Sequence, residues 1–352
     1  MERRRDVRLG IIGAGMVGHF HAQAINAMRN GEFAGVACRT AERASALVDK
    51  HGGKAYANVD ALLADDAIDI VVIGTPSGTH GDLAARAAVA GKHVLVEKPM
   101  EITTARIDRI VDACDRAGVV LGAVLNRRFH PAIRAIEAAL AAGRFGKLTL
   151  CSAYVKWWRT QAYYDDATWR GTRALDGGGA LINQAIHTID QLLHFAGPVR
   201  KVTALTGRVG HERIEVEDVA TASLEFENGA LGTIEATTAA WGSRGHPCEV
   251  HLCGTRGGAF LADDRLRHWE FAQPTDEDDR IRAELMADGA AGLGAADPGA
   301  IDPDMHRQNF EHFVEAVRGN EPLRTGAPEA RRAVQLVEAV YRSAELGRPV
   351  EM

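Results

Sequence analysis

The fold is indicated by the stretch Val7-Arg-Leu-Gly-Ile-Ile-Gly13-Ala-Gly15-Met-Val-Gly18-His-Phe-His-Ala, in which an apolar strand runs directly into a helix. The first glycine permits a tight turn, the second lets a pyrophosphate approach the backbone, and the third lets the helix pack on the strand. A dinucleotide is therefore expected at the helix N-terminus. An ordinary glycine-rich turn is the alternative. The predicted contacts to the cofactor in this turn are Gly13, Gly15, Met16, Val17 and Gly18.

The end of the second strand bears on the choice between NAD and NADP. An acid about 20 residues past the third glycine normally binds the ribose 2′-hydroxyl. Here, after a helix predicted over residues 19–30, the strand at residues 33–38 is followed by Arg39 and Thr40, with Arg43 one helical turn on. A cation with a hydroxyl suits a 2′-phosphate, which favours NADP over NAD. The alternative is that both arginines are solvated charges on a surface helix.

Length and composition limit the classes of protein. A chain of 352 residues exceeds the size of one hydrophobic core, so two domains are expected. The net charge of -6 offers no basic field, which excludes nucleic acid as a partner. No apolar run approaches the roughly 18 residues of a membrane span, and no apolar leader segment follows the N-terminal arginines. The five scattered cysteines are typical of reduced thiols, so we expect a cytoplasmic protein.

Strands alternate with helices through about residue 123. Residues 68–73, 93–97 and 119–124 are short apolar runs, as expected of parallel strands that are buried on both faces. Alanine-rich helical segments separate them. This alternation predicts an α/β Rossmann dinucleotide-binding domain over residues 1–123.

The pattern changes after residue 124. A predicted helix at 131–142 precedes segments of alternating polarity at residues 147–156, 199–209, 218–226, 230–240 and 248–253. These segments predict an α+β domain over residues 124–352 with an open, largely antiparallel sheet. One face of such a sheet must be covered, so we expect a homodimer or homotetramer formed through it.

The last part of the chain contains a region of a different composition. Residues 276–304 are acidic and rich in glycine and alanine, which predicts a long loop or insertion. Helical patterns at residues 305–318 and 327–346 follow, and these closing helices are free to pack back on the first domain.

Four motifs in order carry a family resemblance: Gly74-Thr75-Pro76-Ser-Gly-Thr-His80, Glu97-Lys98-Pro99, Asn126-Arg127-Arg128-Phe129-His130-Pro131 and Asp176-Gly-Gly-Gly179-Ala-Leu-Ile-Asn183-Gln-Ala-Ile-His187-Thr-Ile-Asp190. With the glycine turn, they resemble the glucose–fructose oxidoreductase and inositol dehydrogenase family, Gfo/Idh/MocA, over essentially the whole chain. The resemblance implies an oxidoreductase of carbohydrate metabolism. Hydride would move between a secondary alcohol of a sugar, sugar derivative or cyclitol and NAD or NADP.

The resemblance implies that Lys98 is catalytic, hydrogen-bonding the reacting hydroxyl and taking part in proton transfer. Lys98 follows a strand end that faces the ligand crevice of a parallel sheet, and Pro99 restricts the backbone after it. A surface lysine paired with Glu97 is the alternative interpretation. Further expected contacts to the cofactor are Arg39, Thr40, Thr75, Pro76, His80, Glu97, Lys98 and Arg127.

His187 is the second predicted catalytic residue. Spacings of four, three and four residues place one polar stripe on a predicted helix, consisting of Asn183, His187, Asp190 and His194. A solvated face with an incidental histidine is one alternative, and a zinc site is another. Because the resemblance places no metal there, we expect none.

Asn183 departs from the family, which often has aspartate at this position. Asparagine cannot take up a proton near neutral pH, so it is expected to bind substrate by hydrogen bonds. The acid–base work then falls to Lys98 and His187, and the assignment of the primary base stays open.

Residues 156–173 hold five aromatic side chains and three arginines. Ring faces suit the CH faces of a sugar, and guanidinium groups bind hydroxyls or a negative substituent. We therefore expect substrate contacts from Trp158, Arg159, Trp169 and Arg170, in addition to Lys98, Asn183 and His187. The equal alternative is an aromatic segment that packs on the domain or on a neighbouring subunit.

Three other functions fit the same resemblance. They are a non-catalytic NAD(P)-sensing regulator, an NAD-dependent glycosidase and a trans-dihydrodiol dehydrogenase. Retention of both Lys98 and His187 argues against the regulator.

Overall fold

The computed structural model describes residues 7–243, 245–286 and 303–352. Within these ranges the chain forms two compact units. The first contains residues up to 126 together with 303–331, and the second contains the intervening residues together with 332–352. Each unit is built around its own sheet.

The helices occur in both units and are numbered along the chain. They are α1 (Met16–Asn26), α2 (Ala41–His51), α3 (Val59–Leu63), α4 (His80–Val89), α5 (Thr104–Ala117), α6 (Pro131–Ala141), α7 (Gln161–Asp165), α8 (Ile186–Ala196), α9 (Asp276–Leu285), α10 (Asp304–Val317) and α11 (Ala327–Leu346). A π-helical turn, Ala180–Ala185, leads directly into α8.

The first unit contains a six-stranded parallel sheet. Its strands are β1 (Val7–Ile12), β2 (Gly31–Ala37), β3 (Lys54–Tyr56), β4 (Ile70–Ile73), β5 (His93–Val96) and β6 (Leu121–Ala123). Their order across the sheet is β3-β2-β1-β4-β5-β6. The order reverses between β1 and β4, and the crevice outside the carboxyl ends of the strands at such a reversal is where ligands bind. The predicted Rossmann fold is confirmed.

Short apolar strands make the core of this unit. Leu9 of β1 and Val72 of β4 are completely buried, as expected of strands covered on both faces. Phe310 and Phe313 of α10 are buried in the same cluster, so a late helix of the chain completes the core of the first unit.

The second unit contains an eight-stranded sheet. Its strands are β7 (Leu148–Lys156), β8 (Val199–Gly207), β9 (Val219–Phe226), β10 (Leu231–Thr237), β11 (Cys248–Gly254), β12 (Gly257–Ala262), β13 (Arg265–Phe271) and β14 (Val350–Glu351). The order is β13-β12-β11-β7-β10-β9-β8-β14, with β7 and β10 parallel and the other neighbours antiparallel. Burial alternates along the strands, so one face is apolar and buried while the other is open. The predicted, largely antiparallel sheet is confirmed.

One helix boundary and one hairpin differ from the sequence predictions. The first helix begins at Met16 rather than at residue 19, because Gly18 packs against Gly13 from within the first helical turn. The hairpin β12–β13 was not predicted. Its turn consists of Asp263 and Asp264, whose φ angles of 47° and 64° lie in the left-handed region, so the turn carries no glycine signal.

The prediction of a loop over residues 276–304 is wrong for its first part, where α9 forms. Thr275 and Asp278 make a capping box, and acidic residues in the first turn favour the positive end of the helix dipole. Asp278 also accepts hydrogen bonds from Arg144 and from the Trp269 indole, which anchor the helix. The remainder, residues 287–302, lies outside the described residues. No helix in the described part of the chain combines the length and apolar character needed to cross a bilayer.

Candidate active site

The glycine turn between β1 and α1 leaves one backbone position open. Gly13 has a φ of +116°, and a Cβ atom there would lie 2.5 Å from the Gly74 carbonyl oxygen. A Cβ atom at Gly18 would lie 2.3 Å from the Gly13 carbonyl oxygen. At Gly15, by contrast, no heavy atom of the described structure lies within 4 Å of a Cβ position. Packing explains two of the glycines, and the third leaves its backbone accessible to a ligand.

The N-terminus of α1 is suited to an anion. Its first turn has no side-chain cap and no acidic residue among the described residues. The first N–H groups of a helix lack partners within the helix and attract negative charge. The cleft beside this turn is lined by Ala14, Gly15, Met16, His19, Arg43 and Ala46. An open glycine, free helical N–H groups and a cation fit the phosphates of a dinucleotide.

The residues after β2 are exposed. Arg39 and Thr40 follow the strand, and Arg43 lies in the first turn of α2 beside Glu42. The Cys38 thiol donates a 2.9 Å hydrogen bond to the Thr40 carbonyl oxygen, which shapes this corner. The strand end therefore presents a cation and a hydroxyl where a carboxylate would bind a free ribose hydroxyl.

His80 connects the segments that follow β4 and β5. One ring nitrogen lies 2.8 Å from the Thr75 carbonyl oxygen and the other 3.0 Å from the Pro99 carbonyl oxygen. Burial lowers the pKa of His80, while both carbonyls and the acids Glu97 and Glu101 oppose that shift. The ring is completely enclosed, so it ties the Thr75 segment to the Lys98–Pro99 segment, whose peptide bond is cis.

Glu97 is a buried carboxylate at the end of β5. Its Oε1 accepts a 2.9 Å hydrogen bond from His21 Nε2 in α1, and its Oε2 accepts a 2.8 Å hydrogen bond from the backbone N–H of Lys98. His306 of α10 lies with Nε2 3.9 Å from Glu97 Oε1, and the Asn126 amide lies 3.3 Å from His306 Nδ1. These contacts hold the start of the Glu97-Lys98-Pro99 segment from two helices.

The charge states within this group follow from its surroundings. Burial raises the pKa of Glu97, but the hydrogen bond from His21 and the charges of His21, His306 and Lys98 outweigh it and lower the pKa to about 2. Burial lowers the pKa of His306 to about 4, against the opposing effect of Glu97. At neutral pH, Glu97 is therefore ionised and His306 is neutral.

His21, Glu97 and His306 are residue types that can bind a metal ion. His21, Glu97 and His306 each offer a ligand atom, and these atoms lie within 4.8 Å of one another. His21 Nε2 and Glu97 Oε1 already share a hydrogen bond, which accounts for their contact without an ion.

The adjacent arginines Arg127 and Arg128 make buried structural contacts in the second unit. Arg128 donates two hydrogen bonds, of 2.8 and 2.6 Å, to the Asp190 carboxylate in α8. Arg127 donates to the Cys248 sulfur at 2.8 Å and lies 3.5 Å from Asp264. Burial lowers the pKa of Arg127, but Asp264 and Cys248 outweigh it and raise the pKa.

The predicted polar stripe has two different halves. Asp190 is buried against Arg128, and His194 contacts Glu137 of α6, so both are used in packing. Asn183 and His187 are half-buried and remain accessible. Because Asn183 lies in the π-helical turn, it does not follow the regular spacing of the α-helix that the prediction assumed.

Glu217 holds the π-helical turn in place. Its carboxylate accepts 2.9 Å hydrogen bonds from the N–H groups of Gly179 and Leu181, and a third from the Tyr341 hydroxyl. A Cβ atom at Gly178 would lie 2.1 Å from that hydroxyl oxygen. The glycine run therefore serves close packing at the start of the turn.

Asn183 is oriented by a neighbouring carboxylate. Its amide donates a 2.6 Å hydrogen bond to Asp176, and its carbonyl accepts a 3.3 Å hydrogen bond from Gln184. A carboxylate thus lies beside the asparagine that replaces the aspartate often found in the family, although it comes from a different position in the chain.

The aromatic segment is joined to the π-helical turn through Gln184. The Gln184 amide donates to the Tyr163 hydroxyl at 3.0 Å, and its carbonyl accepts from Arg159 at 3.2 Å. The Arg159 guanidinium lies 4.9 Å from the Trp157 ring centre. The Arg170 guanidinium lies 4.2 Å from the Tyr163 ring centre. Trp158, Trp169 and Arg170 are half-buried, whereas Arg159 is buried.

Several residues that organise the site were not found from the sequence. His21 and His306 lie on helices far apart in the chain, and α8 and β8 separate Asp176 and Gln184 from His211 and Glu217. His211 contacts Asp218 at 2.9 Å and the Arg159 carbonyl oxygen at 2.8 Å, so it also supports the aromatic segment. His21 lies three residues after Gly18, in the helix that the glycine motif predicts. Nothing in the sequence indicates that Glu97 is its partner.

Comparison with known proteins identifies the family. Residues 7–124 match the oxidoreductase family with an NAD-binding Rossmann fold, and residues 133–260 match the Gfo/Idh/MocA C-terminal domain. The chain belongs to the Gfo/Idh/MocA family. The family resemblance and the dehydrogenase class expected from the sequence are confirmed. The protein is an NAD-binding oxidoreductase whose relatives include sugar and cyclitol dehydrogenases.

Three relatives illustrate the range of this Gfo/Idh/MocA family. D-xylose 1-dehydrogenase (NADP(+)) 2 of Haloferax volcanii is 29% identical over 324 residues, 91% of this chain and 92% of that protein. Myo-inositol 2-dehydrogenase of Thermotoga maritima is 25% identical over 351 residues, 98% of each chain. The WlbA dehydrogenase from Bordetella pertussis, in a crystal structure with NADH and UDP-GlcNAcA, is 31% identical and superposes with a TM-score of 0.90 over 100% of this chain and 99% of that one.

The glycine turn yields a prediction that separates packing from binding. Gly15→Ala should leave thermal stability unchanged, because its Cβ meets open space, and should weaken cofactor binding roughly tenfold by blocking the approach of the pyrophosphate. Gly18→Ala should instead lower the melting temperature, because its Cβ meets the Gly13 carbonyl. Calorimetric titration and thermal melts measure both effects. Unchanged cofactor affinity in Gly15→Ala would contradict the assignment.

Proposed function

We propose that this protein is an NAD(P)-dependent dehydrogenase that acts on a secondary alcohol of a sugar, sugar derivative or cyclitol. The main observation is the position of Lys98, directly after β5, with its backbone N–H held by the buried Glu97 carboxylate. Residues 1–123 would bind the cofactor, and residues 124–352 would bind the substrate and mediate assembly. The names of the relatives support the substrate class.

Each group has a defined task in this proposal. The nicotinamide, when bound, supplies the hydride acceptor or donor. Lys98 and His187 bind the substrate hydroxyl and handle its proton, while Asn183, held by Asp176, hydrogen-bonds the substrate. In the oxidative direction, the carbinol carbon loses a hydride and the oxygen loses a proton, which leaves a ketone.

The aromatic segment is proposed as the sugar subsite. Trp158 and Trp169 retain partial exposure, and ring faces suit the CH face of a sugar. Arg170 stacks on Tyr163 and is half-buried, so part of its side chain remains accessible to a polar ligand. The WlbA structure contains a nucleotide sugar acid. A sugar with a negative substituent therefore belongs in the substrate panel.

NADP is the proposed preferred cofactor. Arg39, Thr40 and Arg43 are all exposed around the end of β2, and the strand end itself has no carboxylate. A guanidinium forms charge-assisted hydrogen bonds with a phosphate. The Haloferax volcanii relative is named for NADP, and WlbA was crystallised with NADH, so the test must be made on this chain.

We further propose that a second copy covers the open face of the larger sheet. Leu150 and Leu231 are paired across β7 and β10 and are 48% and 58% exposed, and Leu205 of β8 is 73% exposed. Tyr154, His251, Phe260 and His268 add a row of contacting rings across β7, β11, β12 and β13. An apolar and aromatic face of this kind is typical of a homo-oligomer contact.

Catalysis is tested with a panel of sugars, cyclitols, sugar acids and UDP-GlcNAcA, read as nicotinamide absorbance. With the best substrate, Lys98→Met and His187→Ala should each lose roughly 10²-fold or more in kcat while binding cofactor normally, as expected of groups that handle a proton. Turnover close to wild type in either variant would remove that residue from the mechanism. If no compound of the panel is turned over, the proposed substrate class is contradicted.

The cofactor preference is tested by titrating both dinucleotides. Arg39→Ala should weaken NADP binding roughly tenfold and leave NAD binding unchanged, because only the 2′-phosphate contacts the guanidinium. Arg86→Ala, which removes an exposed arginine paired with Asp60, is the matched control. Tighter binding of NAD than NADP in the wild type would overturn the preference.

Assembly is tested by light scattering. The wild type should have at least twice the mass of one chain, and Leu231→Glu should shift it towards the monomer by burying a charge at the contact. Val89→Glu is the control, because Val89 is 85% exposed on α4 in the first unit. A monomeric wild type would contradict the proposal.

A further inference from the structure

Tyr163 lies in α7, within the aromatic segment, and is not among the substrate contacts predicted from the sequence. Its ring is half-buried, whereas the ring of the next residue, Tyr164, is buried. The Gln184 side-chain amide lies 3.0 Å from the Tyr163 hydroxyl oxygen. An amide nitrogen only donates and an amide oxygen only accepts, so the direction of this bond depends on which end of the amide faces the tyrosine.

Arg159 fixes the orientation of the Gln184 amide. A guanidinium has donors and no acceptor, and Arg159 donates a 3.2 Å hydrogen bond to the Gln184 side-chain oxygen. The Gln184 nitrogen therefore makes the two other contacts of this amide, at 3.0 Å to the Tyr163 hydroxyl and at 3.3 Å to the Asn183 side-chain oxygen. Both of its N–H groups thus have acceptors.

Asp176, at the other end of this row of hydrogen bonds, requires the same orientation. A carboxylate accepts, so the Asn183 nitrogen faces Asp176 at 2.6 Å and the Asn183 oxygen faces Gln184. The second carboxylate oxygen accepts a 2.8 Å hydrogen bond from the Gly171 N–H. From Arg159 to Asp176, each group donates to the next. Neither amide can turn over without placing two donors or two acceptors together.

The consequence for Tyr163 concerns its proton. A phenol has one O–H donor, and an oxygen that accepts from Gln184 keeps that proton for another partner. Within the ranges that the structure describes, the Tyr163 hydroxyl makes no hydrogen bond to an acceptor. Tyr164 differs, because its hydroxyl pairs with the Thr238 hydroxyl at 2.8 Å, and its ring packs with Ile214.

Two guanidinium groups near Tyr163 favour an acceptor as its partner. The Arg170 guanidinium lies 4.2 Å from the Tyr163 ring centre, and the Arg159 guanidinium lies 5.4 Å from it. Arg170 donates to the Tyr163 carbonyl oxygen at 3.0 Å and forms no ion pair with any described residue. Positive charges beside an O–H donor attract an oxygen with negative or partial negative charge. A hydroxyl, ring or carboxylate oxygen of a sugar is such a group.

We propose that Tyr163 is a substrate-binding residue whose O–H donates to an oxygen of the substrate, and that Gln184 is the positioning residue that keeps this proton available. This inference rests on the proposed function and adds one contact to the sugar subsite. The Gln184 amide binds Asn183 as well as Tyr163, so one side chain holds two groups that contact the substrate. The contact binds and orients the substrate and takes no part in proton transfer.

The first test compares two adjacent tyrosines that each lose one oxygen atom. Tyr163→Phe should raise KM about three- to tenfold if the bound oxygen is neutral and more than tenfold if it is a carboxylate, because hydrogen bonds to charged groups are stronger. The kcat and the cofactor Kd should stay unchanged, since the contact is equal in the ground and transition states. Tyr164→Phe should leave KM unchanged and lower the melting temperature, because its hydroxyl bond is buried.

The probes are D-xylose, myo-inositol and UDP-GlcNAcA, compounds named for the relatives. Each is titrated calorimetrically with cofactor bound and assayed by nicotinamide absorbance. If Tyr163→Phe leaves the KM and Kd of every bound probe unchanged, the inference is overturned and the proposed function stands. A probe that binds without turnover tests the tyrosine through its Kd, and its inertness counts against the proposed function alone. If the wild type binds none of the three probes, both proposals are overturned.

Gln184→Glu tests the positioning role. Glutamate keeps the length of the side chain and an acceptor for Arg159 but has no N–H group, so the Tyr163 proton should turn to the new carboxylate. This variant should raise KM at least as much as Tyr163→Phe. The double variant Tyr163→Phe/Gln184→Glu should be no worse than Gln184→Glu alone, because the hydroxyl proton is already diverted. Additive effects would overturn the positioning role, and the Tyr163→Phe test stands even if Gln184→Glu does not fold.

Discussion

The buried hydrogen bond between His21 and Glu97 joins the helix after the glycine turn to the segment that carries Lys98. Because Glu97 is ionised inside the unit, loss of His21 would leave Oε1 of a buried carboxylate without its hydrogen bond, an unfavourable state. His306 reaches the same carboxylate from α10, which belongs to the first unit although it follows the whole second sheet in sequence. A helix from the last part of the chain, α10, therefore completes the surroundings of Glu97, which lies in the first third of the sequence.

Buried carboxylates organise the second unit in a comparable way. Glu217 binds the N–H groups at the start of the π-helical turn, where burial raises its pKa and those hydrogen bonds oppose the rise. Asp218 accepts from the N–H groups of Val209, Gly210 and His211. Both acids satisfy backbone groups that have no partner in a sheet or regular helix. Glu217 holds the π-helical turn that carries Asn183, and Asp218 holds residues 209–211, whose His211 contacts the Arg159 carbonyl oxygen.

Much of the fold could be predicted because its signals are local. The glycine spacing of β1 and α1, the short apolar runs of β4 and β5, and the alternating polarity of β7 to β11 each depend on near neighbours in sequence. The acidic residues before Ile281 misled the prediction, because they form the first turn of α9 and one of them binds Arg144 and Trp269. Composition alone does not reveal such distant partners.

By itself, the sequence determined the order of the two sheets, the nucleotide turn and the candidate residues Lys98, Asn183 and His187, because motif spacing and periodicity are properties of short segments. Only the tertiary structure decided which polar residues remain accessible. It buried Asp190 against Arg128 and left His187 half-buried, although both lie on α8. The partners of a polar side chain come from elements distant in the chain, and burial makes their pairing obligatory.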